Sequence, residues 1–232
     1  MPPRKPDRRL LHRAARLFLE GIGEPGLRRD QRRTPARVAD AWSRELMSGY
    51  RSDPVRILGT SFASRETGMV AVHAIPFVSV CVHHLLPFHG VAHVAYIPDG
   101  RLVGLSKLGR AIDALSRRLQ LQERLTRQIV EALNQALHPS GAACSLEAEH
   151  LCMTVRGARA RGARVATTVY SGRFLDRPAL RLEFQRLCGV AAPVRRAARR
   201  GRNAGGSARS RKRTARRPAG RRARVTTRRR SG

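Results

Sequence analysis

Residues 79–100 read SVCVHHLLPFHGVAHVAYIPDG, and this stretch decides how the rest of the chain is interpreted. It holds the end of one strand-like run and the whole of another. Met69 to Val82 is rich in Val, Ile and Phe and predicts a strand, bent near Pro76. Gly90 to Ile97 predicts a second strand, with the turn after it at Asp99-Gly100. Cys81 stands at the end of the first, and His83 and His84 follow directly after it. Downstream, His150-Leu151-Cys152 repeats the same donor types. Two thiols and one imidazole suit a single divalent ion, and zinc with three protein ligands keeps a fourth position for water. A lone Cys-x-x-His is more often a pair of buried structural residues. The second cluster, His-x-Cys on another predicted strand, shifts the reading to a metal site.

Working outward, Asp7 is placed to cap a helix with Leu10, Leu11, Ala14, Leu17 and Phe18 on its apolar side, ended by Gly21 and Gly23. Thr34-Pro35 predicts a second helix start, a hydroxyl cap followed by proline at the first helical position. Val38, Ala41, Trp42 and Leu46 then fall on one face, and Gly49 closes the helix. Beyond Asp99-Gly100, Ser106 is placed to cap a long helical region. Its stripe Leu108, Ile112, Leu115, Leu119 is out of phase with the next, Leu125, Ile129, Leu133, Leu137. A break at Leu121-Gln122-Glu123 and two helices follow from that mismatch. Pro139 and Gly141 stop the second helix, and Ala143 to Val155 and Val165 to Phe174 predict two more strands. The order helix, helix, strand, strand, helix, helix, strand, strand predicts an α+β fold with an antiparallel sheet.

Charge divides the chain further. Formal net charge is +31, yet 17 of the Lys and Arg lie between Gly189 and Gly232, where there is no Asp or Glu. The remaining residues hold 30 basic against 16 acidic side chains. The tail has almost nothing to bury and cannot offset its ordering entropy, so disorder is expected there. Three segments result: an N-terminal helical segment over 1–50, a catalytic domain over 51–188 and a basic tail over 189–232. An arginine-rich tail can hold nucleic-acid phosphates without sequence preference, although it has no aromatic residue for base stacking. A solvated appendage is the plainer alternative. No apolar run is long enough to span a bilayer, so no membrane partner is expected. Four cysteines without a dense spacing pattern, and a charged N-terminus, fit a reducing cytoplasm that keeps thiols free for metal.

The remaining chemistry surrounds the ligands. His83 and His150 flank them, as neutral imidazoles suited to proton transfer or, for one of them, to structural support. Ser106, Lys107 and Arg110 open a helix, where backbone amides, the dipole and two cations favour an anion. Arg156 follows Cys152 by four residues and can add a guanidinium. Glu123 lies at the helix break, where a carboxylate can accept two hydrogen bonds from an amidine-like edge such as that of guanine.

These residues together make the chain resemble GTP cyclohydrolase I. The matching stretches are TPARVADAW, SVCVHHLLPFHGVAHVAYIPDG, VGLSKLGRAIDALSRRLQLQERLTRQIVEAL and EAEHLCMTVRGARARGAR, in order over roughly residues 34–174. The resemblance implies a tunnelling fold, a four-stranded antiparallel sheet with a helical pair after its second strand. It also implies a ring-shaped homodecamer with active sites at subunit boundaries. The implied reaction converts GTP and water to 7,8-dihydroneopterin triphosphate and formate, the first step of tetrahydrofolate biosynthesis in bacteria and plants. By position, the resemblance assigns Cys81, His84 and Cys152 to zinc (Zn2+) and His83 and His150 to proton transfer. It assigns Glu123, with Gln122 beside it, to guanine. Lys107, Arg110, Arg156 and Arg37 fall to the triphosphate, and Ser106 to the neighbourhood of the ribose. The chain departs from the family where Val82 replaces a glutamate between the cysteine and the first histidine. The segment between Gly23 and Thr34 is shorter and more basic than is usual, and the tail has no counterpart. Val82 opens a second reading, a divergent paralogue that binds a purine nucleotide without normal turnover or acts on an altered one.

Overall fold

The computed structural model describes residues 5–23 and 31–189. The expected disorder of the basic tail therefore lies outside the described residues, apart from its first residue. In chain order the elements are α1 (Arg8–Gly21), α2 (Thr34–Asp40), α3 (Pro54–Leu58), β1 (Ser61–Ala63), β2 (Val70–Cys81), β3 (Pro87–Ile97), β4 (Arg101–Val103) and α4 (Leu105–Ser116). They continue with β5 (Leu119–Gln120), α5 (Gln122–Leu137), β6 (Gly141–His150), α6 (Leu151–Thr154), β7 (Val165–Gly172), α7 (Arg173–Asp176) and α8 (Pro178–Leu187). The fold is α+β, with a main sheet in the order β5-β2-β3-β6-β7 and a small β1-β4 pair. Its four long strands are antiparallel neighbours, and β5 adds a two-residue parallel rung against Val80 and Cys81.

The side-chain alternation of a strand sorts the core. Ala92, Val94 and Tyr96 of β3 join Ala142, Cys144 and Leu146 of β6 beneath α4 and α5. Ala95, Ile97 and Ala143, one residue out of step, meet Phe174 and Phe184 on the opposite face. Leu125, Ile129, Leu133 and Leu137 are all buried, as their stripe predicts. Each such side chain contributes about 1.5–3 kcal/mol by leaving water. Leu108, Ile112 and Leu115 are buried too, but Leu119 belongs to β5 and not to the stripe of α4.

Several local expectations are corrected. Thr34 and Ser106 are not caps: both are already helical, and the cap positions are Arg33 and Gly104, with no side-chain cap bond. Asp7 does cap α1, accepting from the amides of Arg9 and Leu10. After α2 the helix widens, so that the Met47 amide donates to Trp42 O five residues back. The buried line then runs Pro35, Ala39, Ser43, Met47, spaced four apart, while Val38, Ala41, Trp42 and Leu46 are half-buried. The wider turn explains the change of phase. The irregularity in β2 falls between Val72 and Ile75, with Ala74 at a φ of 56°, and Pro76 keeps its register opposite Val91. Proline is accepted there because β5 covers the other edge of β2 only at Val80 and Cys81. Gly49 lies so close to α4 that a Cβ would stand 2.1 Å from Ala114 O. Its amide donates to Arg117 O, which ties the N-terminal helices to α4.

Candidate metal centre and active site

The sheet register brings the two metal-binding motifs together. Val80 pairs with Pro87, and Phe88 pairs with His150, so the end of β2, the start of β3 and the end of β6 lie side by side. Cys81 ends β2. A tight turn follows, closed by the Leu85 amide to Cys81 O and the Cys81 amide to Leu86 O, with Leu85 at a φ of 54°. His84 sits on that turn. Cys152 lies on the helical turn α6, directly after β6 and not within the strand as the sequence suggests. One ligand atom from each of Cys81, His84 and Cys152 lies within 4.8 Å of the others. Cys81 Sγ is 3.9 Å from His84 Nδ1.

This donor set fits a metal ion chemically. Burial and the neighbouring Cys81 both push the Cys152 thiol up, because two thiolates repel each other when nothing positive lies between them. Arg156, exposed just beyond α6, acts in the opposite direction. A divalent ion supplies the missing charge, and two sulfurs with one imidazole match zinc. The described cysteines form no disulfide.

His150 is held from two sides. Its ring stacks on Phe88 at 4.5 Å and 5°, and its Nε2 lies 2.7 Å from Gln122 Oε1. Burial lowers its pKa from the usual histidine value, with the nearby Glu123 opposing. Glu123 is exposed in the first turn of α5, beside His150. His83 is exposed, its ring 6.2 Å from that of His84 and edge-on to it. Val82 is half-buried, and its amide donates to Gln120 O.

Gln122 is corrected most. Expected beside the guanine position, it is 1% exposed. Its amide nitrogen donates to Leu146 O, Val165 O and Thr167 Oγ1, and its oxygen faces His150. Each side-chain polar atom of Gln122 thus has a partner within the chain. Sequence reasoning missed this role because the partners come from β6 and β7, far along the chain.

The other anion-binding candidates lie elsewhere. β3 runs 11 residues from Pro87 at the metal end to Ile97, a length of about 30 Å at the rise of a strand. The Val103 amide donates to Tyr96 Oη, so α4 begins near that distant end. α4 then returns, and Ser79 Oγ reaches Arg118 O just beyond it. Ser106 and Lys107 are therefore about 15 Å of helix away from its metal-side terminus. Arg110, one turn further on, lines a 390 Å³ cleft with Ser48, Ser52 and Asp113. Arg37 is exposed on α2. One chain thus gathers Cys81, His84, Cys152, His150, Glu123 and Arg156, and it leaves Ser106, Lys107, Arg110 and Arg37 outside that group.

Fold and site together define an α+β protein with an antiparallel sheet and a Cys-His-Cys group able to hold a metal ion. The family profile described as GTP cyclohydrolase I matches residues 11–189. The GTP cyclohydrolase 1 of Streptococcus agalactiae serotype V is 45% identical over 172 residues, covering 74% of this chain and 91% of that protein. The GTP cyclohydrolase 1 of Carboxydothermus hydrogenoformans is 43% identical over 190 residues, covering 82% and 98%. That of Chlorobaculum tepidum is 46% identical over 173 residues, covering 74% and 77%. The chain belongs to the GTP cyclohydrolase I family.

Proposed function

We propose that this chain converts GTP and water to 7,8-dihydroneopterin triphosphate and formate, with zinc held by Cys81, His84 and Cys152. The observation that carries the reading is the meeting of those three donors beside His150 and Glu123. Zinc in such a site activates water near neutral pH. The chain's own residues do the rest. Glu123 accepts two hydrogen bonds from the guanine edge. Lys107, Arg110, Arg156 and Arg37 offset the triphosphate charge, and Ser106 contacts the ribose. His83 and His150 move protons as the five-membered ring opens and formate leaves.

The distance along α4 supports a role for Ser106 and Lys107 in the site of another copy. A homo-oligomer, a decamer by family resemblance, supplies that copy. The exposed stripe of α1, with Leu10 64% and Phe18 68% exposed, supports burial between copies. The proposed organisation keeps 1–50 as the helical segment, 51–188 as the catalytic domain and 189–232 as a basic tail. No helix among the described residues is long and apolar enough to cross a membrane, and free thiols at a metal site suit a reducing cytoplasm. The product enters tetrahydrofolate biosynthesis. The 17 cations after Cys188 support nonspecific contact with nucleic-acid phosphates. Deleting 189–232 should then lower retention on DNA at low salt, and unchanged retention removes that role.

The direct test supplies GTP to zinc-loaded protein, then measures formate, the fluorescence of oxidised neopterin and zinc per chain. Both products are expected. A folded, metal-replete sample without turnover overturns the reading. Val82 favours one alternative, an altered nucleotide or a binding role without normal turnover. Val82→Glu should raise GTP turnover if that alternative holds, and no gain argues against it.

A further inference from the structure

Gln122 opens α5 where the chain leaves β5, and its side chain is locked from four directions. Leu146 O at 3.2 Å, Val165 O at 2.9 Å and Thr167 Oγ1 at 3.1 Å surround the amide nitrogen. Two of these are backbone carbonyls, which only accept, so the nitrogen must point at them and the oxygen at His150. A flipped amide would set its oxygen against both carbonyls inside the core. The hydroxyls agree with this orientation. Thr126 Oγ1 donates to Gln122 O at 2.7 Å and lies 2.6 Å from Thr167 Oγ1. Thr167 then gives its own proton to Thr126 and keeps a lone pair for the Gln122 amide. The two amide protons are shared among three acceptors, and none of these arrangements turns the amide oxygen away from His150.

We propose that Gln122 is a positioning residue for His150. Its amide oxygen holds the proton of the neutral imidazole on Nε2, 2.7 Å away, and so leaves the lone pair on Nδ1 for the reaction. Phe88, stacked at 4.5 Å and 5°, keeps the ring from turning over. An imidazole free to change tautomer would spend part of its time with the proton on the wrong nitrogen. Here the choice is made by β6 and β7, through an amide that touches no substrate. The inference rests on the reading of His150 as a proton-transfer residue, and it changes the part expected of Gln122 from guanine contact to orientation.

The test uses the full chain with ring-15N-labelled histidine, with and without zinc. A His150→Asn spectrum identifies the His150 signals. In the wild-type chain Nε2 should appear protonated and Nδ1 unprotonated. Gln122→Met should move both signals toward a mixture of tautomers. In the zinc-loaded form it should lower kcat about 10- to 100-fold while KM for GTP changes less than about twofold. On a His150→Asn background the same change should cost less than about twofold more, because the partner it orients is gone. A wild-type spectrum with the proton on Nδ1 overturns the proposal, even if no variant folds. So does a rise in KM at constant kcat, or full multiplicative loss on the His150→Asn background. Zinc content and melting temperature separate these outcomes from misfolding. A wild-type chain that fails to turn over GTP would overturn the proposed reaction and leave the tautomer measurement standing.

Discussion

The two ends of the sheet are built on opposite principles. At the metal end, side chains from β2, the turn after it, α5, β6 and α6 converge, and Gln122 and His150 Nε2 find partners within one chain. At the start of α4, Ser106 and Lys107 stand on a helix terminus that is capped by Gly104 without a side-chain bond. The first arrangement is complete enough to hold an ion and orient an imidazole. The second offers cations and a helix dipole but no reacting groups of its own. The contrast teaches that one chain brings its own metal donors and imidazole together, whereas the proposed phosphate contacts on α4 depend on the proposed neighbouring copy.

The largest effect should come from the complete end. Cys152→Ser removes one of the sulfurs from a three-donor set, and both bound zinc and GTP turnover should fall, the latter by more than about a thousandfold. Zinc analysis of the folded variant checks the cause. A Cys152→Ser chain that keeps one zinc and near-normal turnover would break the account of this end altogether.

The division of labour gives a second, smaller effect. Lys107→Ala should raise KM for GTP about 10- to 100-fold, the cost of one charge-assisted contact. The sharper measurement mixes chains. Lys107→Ala/Arg110→Ala protein and Cys152→Ser protein are each crippled alone. Co-assembled in equal amounts, they should recover about a quarter of wild-type activity if each site draws its metal and its phosphate grip from different copies. If each site belongs to one chain, no mixture contains an intact site, and activity stays at the level of the parents.

The sequence was informative where a signal is local. The two Leu stripes are out of phase, and the break falls where β5 and the start of α5 lie. Cys81-x-x-His84 and His150-x-Cys152 were legible as spacing, and so was Asp7 as a cap. What brings the motifs together, the pairing of Phe88 with His150, is set between strands about 60 residues apart in the chain and leaves no local trace. The role of Gln122 was hidden for the same reason. Two short helices were missed although their signals were present. Asp53-Pro54 starts α3 with a side-chain cap and a proline at the first turn, and Pro178 opens α8. The bulge of β2 had no such signal, because Ala74 is not a residue that advertises a positive φ.

The smallest effect concerns the sheet between these two ends, on the face away from α4 and α5. His93 is buried there at 6% exposure, and its Nδ1 accepts from the Ala74 amide at the bulge. Burial lowers its pKa, the charge of His73 lowers it further, and Glu147, itself paired with Arg164, opposes them. The sign follows from linkage. The folded chain resists protonating His93 and the unfolded chain does not, so the unfolded state binds more protons below its ordinary pKa of about 6.5. Stability is full above that pH and declines as pH falls toward the lowered folded value. His93→Asn keeps an acceptor for the Ala74 amide and removes the titration. The shift of the urea midpoint between pH 7.5 and 5.5 should therefore be smaller in His93→Asn than in the wild-type chain. Metal content should be the same in both, because His93 is not among the metal donors. An equal shift in both would mean that acid sensitivity arises elsewhere, with His150 at the metal end the next group to test. The contrast between a self-sufficient metal end and the rest of the sheet would then extend to stability as well as to chemistry.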